Sequence, residues 1–136
     1  MIHIMLYFLY HYNYAFEEGS EELIVHALVY AIADKYRVDG LAKLAEGYFM
    51  FAFEERWNSH EMQSAIRLVY SSTPPQARGL RDLVLKGLTI DDNHKFKESM
   101  KIPGFAEMME DVGEFSRDLA VKIAGAPSGP PQAQQG

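Results

Sequence analysis

The chain has 136 residues, of which 48% are hydrophobic and 24% charged, with a net charge of −6 from 19 acidic and 13 basic side chains. This is the size of one small globular domain, long enough to bury a core of its own. An acidic balance disfavours nucleic acid as the main ligand. The absence of cysteine removes disulfides, thiol nucleophiles and thiolate zinc sites, and fits a reducing intracellular compartment.

Residues 1–10 are apolar nearly all round, which reads as a core helix or strand. They lack the basic start and small-residue cleavage site of a signal peptide, and they are too few to span a bilayer. Residues 11–19 read as an aromatic-rich loop. Aromatic side chains are favoured at interfaces, so Tyr12, Tyr14 and Phe16 are the candidate partner-binding residues, whereas Tyr7, Phe8 and Tyr10 read as core. Ser20 is placed to cap a helix running to about Tyr36, with Glu21 and Glu22 against the positive end of its dipole. Leu23, Ala27, Tyr30 and Ala31 lie on one face and Ile24, Leu28 and Ile32 on another, the pattern of a central helix buried on two sides.

After Val38-Asp39-Gly40, with Asp39 as a cap, Leu41, Leu44, Ala45, Tyr48, Phe49 and Ala52 make the cleanest helical stripe, ending near Arg56 or Trp57. Asn58 and Glu61 resemble a capping box ahead of Met62, Ala65, Ile66, Val69 and Tyr70. Pro74 and Pro75 stop that helix. Ser71-Ser72-Thr73-Pro74 reads first as this stop and secondly as a proline-directed phosphorylation site. A further helix is predicted from Ala77 or Arg78 to about Leu88, and a polar loop with one short helical stretch over 89–104. Phe105, Met108, Met109 and Val112 lead into a last helix with Phe115, Leu119 and Ile123. Residues 125–136, without charge or large apolar groups, are predicted to be disordered. The minimal PxxP pattern Pro127-Ser128-Gly129-Pro130 lacks a flanking base.

Chemistry finds little support. The five histidines show no spacing that puts two ligands on one helical face, and read as surface or capping groups. The pairs Glu17-Glu18, Glu21-Glu22, Glu54-Glu55 and Asp91-Asp92 fall mostly at helix ends or loops rather than converging. No nucleophile elbow, phosphate loop or dinucleotide fingerprint occurs. Gly40, Gly79, Gly87 and Gly104 read as helix boundaries or packing positions. No catalytic residue, cofactor or metal site is expected.

The order of the pieces carries a resemblance. Leu6-Tyr7-Phe8-Leu9-Tyr10, the helix His26-Ala27-Leu28-Val29-Tyr30-Ala31-Ile32-Ala33-Asp34-Lys35-Tyr36 and the following Val38-Asp39-Gly40-Leu41 resemble the second half of BTB/POZ domains. Ala65-Ile66-Arg67-Leu68-Val69-Tyr70-Ser71-Ser72-Thr73-Pro74 with Arg78-Gly79-Leu80-Arg81-Asp82 is similar to the helical extension of fungal BTB proteins. The similarity covers roughly residues 5–120. The periodicity predicts an all-α fold of about six helices in one small domain, and the resemblance divides it into BTB-like C-terminal helices over 1–57, a helical extension packed on them over 58–124, and the tail 125–136. Met1 falls only a few residues before the first helix of the resemblance, so the N-terminal half of a BTB fold is expected to be missing.

The function implied is a protein–protein interaction module, not an enzyme: a truncated adaptor of the cullin-3 ubiquitin-ligase type. It would bind a protein partner, either itself or a cullin-type scaffold, with no nucleic acid and no membrane, in the cytoplasm or nucleus. Two alternatives stand beside it. One is a small helical ligand-binding or enzymatic domain, with His26, Tyr30 and an acid around a buried polar pocket. The other is a non-functional truncated paralogue.

Overall fold

Small residues at 27, 33, 45, 52 and 65 let helices approach closely, and the structure uses all five in its core. A computed structural model describes residues 21–125. Among these residues the chain is all-helical: α1 (Glu22–Lys35), α2 (Asp39–Arg56), α3 (His60–Ser72), α4 (Arg78–Ser99), α5 (Phe105–Asp111) and α6 (Gly113–Ile123). The expectations for residues 1–20 and 126–136, including the N-terminal apolar element, the Ser20 cap, the PxxP pattern and the tail, lie outside the described residues. None of the described helices is long and apolar enough to cross a membrane.

α1 and α2 pair as a hairpin, α3 packs across α1, and α4 to α6 close the other side against α2 and α3. One cluster of buried side chains runs through all six, from Leu23 and Phe49 to Phe105, Phe115 and Leu119. The hairpin turn is built by backbone geometry. Arg37 adopts a left-handed conformation (φ 61°), its amide donates to the Asp34 carbonyl at 3.3 Å, and the Val38 amide donates to Ala33 at 2.9 Å. This is a Schellman ending, with Val38 packed on the core and an arginine where glycine is usual.

Several boundaries differ from the sequence expectation, each for a local reason. Asp39 is the first residue of α2 rather than its cap, which is Val38. Asn58 and Glu61 form no capping box. Ser59 occupies the cap position of α3, and Glu61 is drawn away to the start of α1, where it accepts the Ile24 amide at 3.3 Å and pairs with Arg56 at 3.8 Å. α4, by contrast, follows the expectation: its regular helix ends within a residue or two of Leu88, the chain breaks at Ile90–Asn93, where Asp91, Asp92 and Asn93 take three successive left-handed conformations, and the short helical stretch expected within 89–104 follows up to Ser99. Asp and Asn tolerate that region best among residues other than glycine. The break redirects the chain so that Phe96 meets Phe105 (6.5 Å between ring centres) and Lys95 sits over Trp57. The last predicted helix is two, divided at Val112 (φ −110°, ψ 74°) just before Gly113.

Candidate functional site

Three groups of polar or exposed side chains stand out from the aliphatic core. The first joins the end of α3 to α4 and α6. The Arg81 side chain is completely buried. Its guanidinium donates to Glu114 Oε2 (2.8 Å), the Thr73 carbonyl (2.6 Å), the Tyr70 carbonyl (3.4 Å) and Thr73 Oγ1 (3.3 Å), while lying 4.2 Å from the centre of the Tyr70 ring. Tyr70 donates its hydroxyl to Asp118 at 2.8 Å. Burial first, and Asp118 second, push that hydroxyl far above the ordinary phenol range. Arg78 spans Asp82 at 2.8 Å and Asp118 at 3.3 Å.

Arg78, Arg81 and Asp82 are near enough in sequence to pair locally. Arg78 and Asp82, four residues apart, do so, but Arg81 is instead the hub of long-range contacts. With its guanidinium spent on four acceptors, the cluster is a clamp that holds the carbonyls freed where Pro74 ends α3. Thr73 is part of it: buried, donating to Val69 at 2.7 Å and accepting from Arg81. The proline-directed hydroxyl is therefore not presented to a kinase in the folded state, and the helix-stop reading describes this segment.

The second group lies between α1, α2 and the start of α4. His26 is 1% exposed, not a surface or capping group as the sequence suggests. Its ring stacks on Tyr48 at 5.2 Å. Burial lowers its pKa to about 4, with Glu22 opposing the shift. One turn on, Tyr30 meets a different environment. The Gly79 backbone and the Glu46 carboxylate both lie close to its hydroxyl. Burial raises the pKa of Glu46, and burial together with Glu46 raises that of Tyr30. Gly79 is a packing glycine here, since a Cβ on it would lie 2.5 Å from the Tyr30 hydroxyl and 2.6 Å from Glu46 Oε2. Thus His26 and Tyr30 each have an acid nearby, but not the same acid. Among the described residues no group of three or more His, Asp or Glu side chains is arranged to hold a metal ion. His60 and His94 are exposed, and the His94 ring lies 6.2 Å from that of Trp57.

The third group is a surface groove of about 520 Å³. Leu28, Ala31 and Ile32 of α1 form an apolar floor, Ser72 at the end of α3 and Pro74 beyond it the far wall, and Asp34, Lys35 and Arg37 a charged rim. This corrects the picture of α1 as buried on two faces. Its core face is Leu23, His26, Ala27, Val29, Tyr30 and Ala33, while Ile24, Leu28 and Ile32 are only half-buried. On the outer face of α2, Met50 (49% exposed) and Phe51 (72% exposed) form an apolar knob beside exposed Glu54 and Glu55.

The partner-binding residues expected from the sequence, Tyr12, Tyr14 and Phe16, lie outside the described residues. Sequence reasoning misses the groove and the knob. The one signal for the knob is negative: Met50 and Phe51 fall off the stripe that fills the core side of α2. Comparison with protein-family models, with curated proteins and with solved structures finds no match.

Proposed function

We propose that this chain is a protein–protein interaction module of BTB/POZ type, acting as an adaptor of the cullin-3 ubiquitin-ligase kind in the cytoplasm or nucleus and carrying no catalysis. The observation that carries this reading is the open groove on α1. The helix that bears the BTB-like run His26–Tyr36 leaves Leu28, Ala31 and Ile32 half-exposed in a concave surface with a charged rim. Apolar floors rimmed by polar groups mark binding surfaces. The rest of the support is sequence order: that run, the Val69-Tyr70-Ser71-Ser72-Thr73-Pro74 block and the Arg78-Gly79-Leu80-Arg81-Asp82 block follow one another as in fungal BTB proteins.

The adaptor role is tested by titrating the full chain with the N-terminal domain of a cullin-3 scaffold in a calorimeter. Saturable binding at one site per chain is expected. A folded chain that releases no binding heat at any ratio would remove the adaptor role.

A further inference from the structure

Two exposed features of this molecule are complementary to one another. The α1–α3 groove offers an apolar floor and a rim on which two cations, Lys35 and Arg37, outnumber one carboxylate, Asp34; neither cation is in an ion pair among the described residues. The α2 knob offers two large apolar side chains, Met50 and Phe51, on the same helical face as Glu54 and Glu55, three to five residues further on. Glu55 has no ion pair among the described residues, and Glu54 has one long contact to Lys95 at 3.8 Å.

Arg37 adds a separate reason. It stands at the left-handed position of a Schellman ending, where glycine is less strained by about 1 kcal/mol. Strain of this kind is concentrated at functional positions, and what it achieves here is a cation on the groove rim.

From this we propose that the groove takes the Met50–Phe51 knob of a second copy of this chain, with Lys35 and Arg37 facing Glu54 and Glu55 of that copy. The proposal rests on the interaction-module reading and names its partner. Groove and knob are different surfaces of one molecule, so the contact is head-to-tail rather than two-fold. A knob of two side chains with a charged rim is small against the roughly 1,000 Å² of a stable interface. The association is therefore weak, grows with concentration and weakens with salt.

Light scattering on the full chain after size exclusion tests this. The expected result is an average mass that rises with concentration past the monomer. Phe51→Glu removes the knob but leaves the groove. Lys35→Glu with Arg37→Asn spoils the groove but leaves the knob, and asparagine tolerates the left-handed backbone. Each variant alone loses the self-association, and an equimolar mixture of the two forms a 1:1 dimer that does not grow further. Should Phe51→Glu lower the helicity seen by circular dichroism, Phe51→Ser takes its place in the same assay.

A wild-type chain that stays monomeric at millimolar concentration, variants that still self-associate, or a mixture that stays monomeric would each overturn the proposal. The scaffold titration separates the two readings. Scaffold binding without self-association sinks only the head-to-tail contact, and self-association without scaffold binding sinks only the adaptor role.

Discussion

Arg81 is a fully buried cation whose carboxylate partner, Glu114, keeps 40% of its side chain exposed. That asymmetry decides what each substitution does. Arg81→Ala leaves a cavity and strips the carbonyls of Tyr70 and Thr73 of their donor, so it should cost about 3–5 kcal/mol. Glu114→Gln keeps an acceptor for the buried guanidinium and faces water on its other side, so it should cost less, about 1–3 kcal/mol. Urea unfolding of both variants measures the difference, and equal costs would show that Arg81 is not the hub.

His26 makes a pH prediction. Its pKa is lowered from 6.5 to about 4, so the folded state favours the neutral ring. Its contribution is fully present above pH 6.5 and is lost as the pH falls from 6.5 toward 4, by an amount on the order of 3 kcal/mol. Glu46, whose pKa is raised, acts in the opposite sense, because protonation stabilises the fold there. Comparing wild type with His26→Gln isolates the histidine. Urea midpoints measured between pH 4 and 7 should fall more steeply toward acid for wild type, and parallel curves would contradict the assignment.

At the scale of the helix, glycine substitutions separate backbone propensity from packing. Gly47 sits inside α2 with nothing within 4 Å of a Cβ, so Gly47→Ala should stabilise by about 0.5–1 kcal/mol. Gly87 lies against the buried ring of Phe53, and a Cβ there would overlap Cε1 and Cζ. Gly87→Ala should therefore destabilise by about 1–3 kcal/mol despite the same gain in propensity. Arg37→Gly should stabilise by about 1 kcal/mol through relief of the left-handed backbone. Thermal melts of the three variants check all of these signs.

Helix ends show how far the sequence carries. The stripe Leu41, Leu44, Ala45, Tyr48, Phe49, Ala52 locates α2 well because burial on one face imposes the 3.6 period directly. Asp39 and Glu61 are harder, since a capping carboxylate can serve its own helix or a neighbour, and only tertiary packing sends Glu61 to α1. The segment Asp91–Asn93 reads as a polar loop because Asp and Asn favour turns over helix interiors, and it is a turn. Helical backbone lies on both sides of it, as the helix expected to about Leu88 and the short helical stretch expected within 89–104 require.

For the whole molecule, the all-helical class is legible from periodicity and proline placement, whereas the surface is not. α1 carries apolar residues on two faces, and the sequence alone treats both as core. The structure covers one and leaves Leu28, Ala31 and Ile32 as the floor of a groove. A half-covered face and a covered one have the same composition, so only the placement of α3 and Pro74 distinguishes them. Arg81 illustrates the converse: its neighbours in sequence give no sign of burial, and the freed carbonyls at the end of α3 are what give it a reason to be inside.

A molecule that acts through protein contact at the α1–α3 groove should protect that groove when copies meet. Amide hydrogen exchange of the full chain at dilute and at high concentration tests this most directly. Slower exchange at high concentration is predicted, confined to residues 28–37 and 50–55, with the Arg81 clamp and the α5–α6 core unchanged. Identical exchange at both concentrations, or slowing centred on another surface, would contradict it.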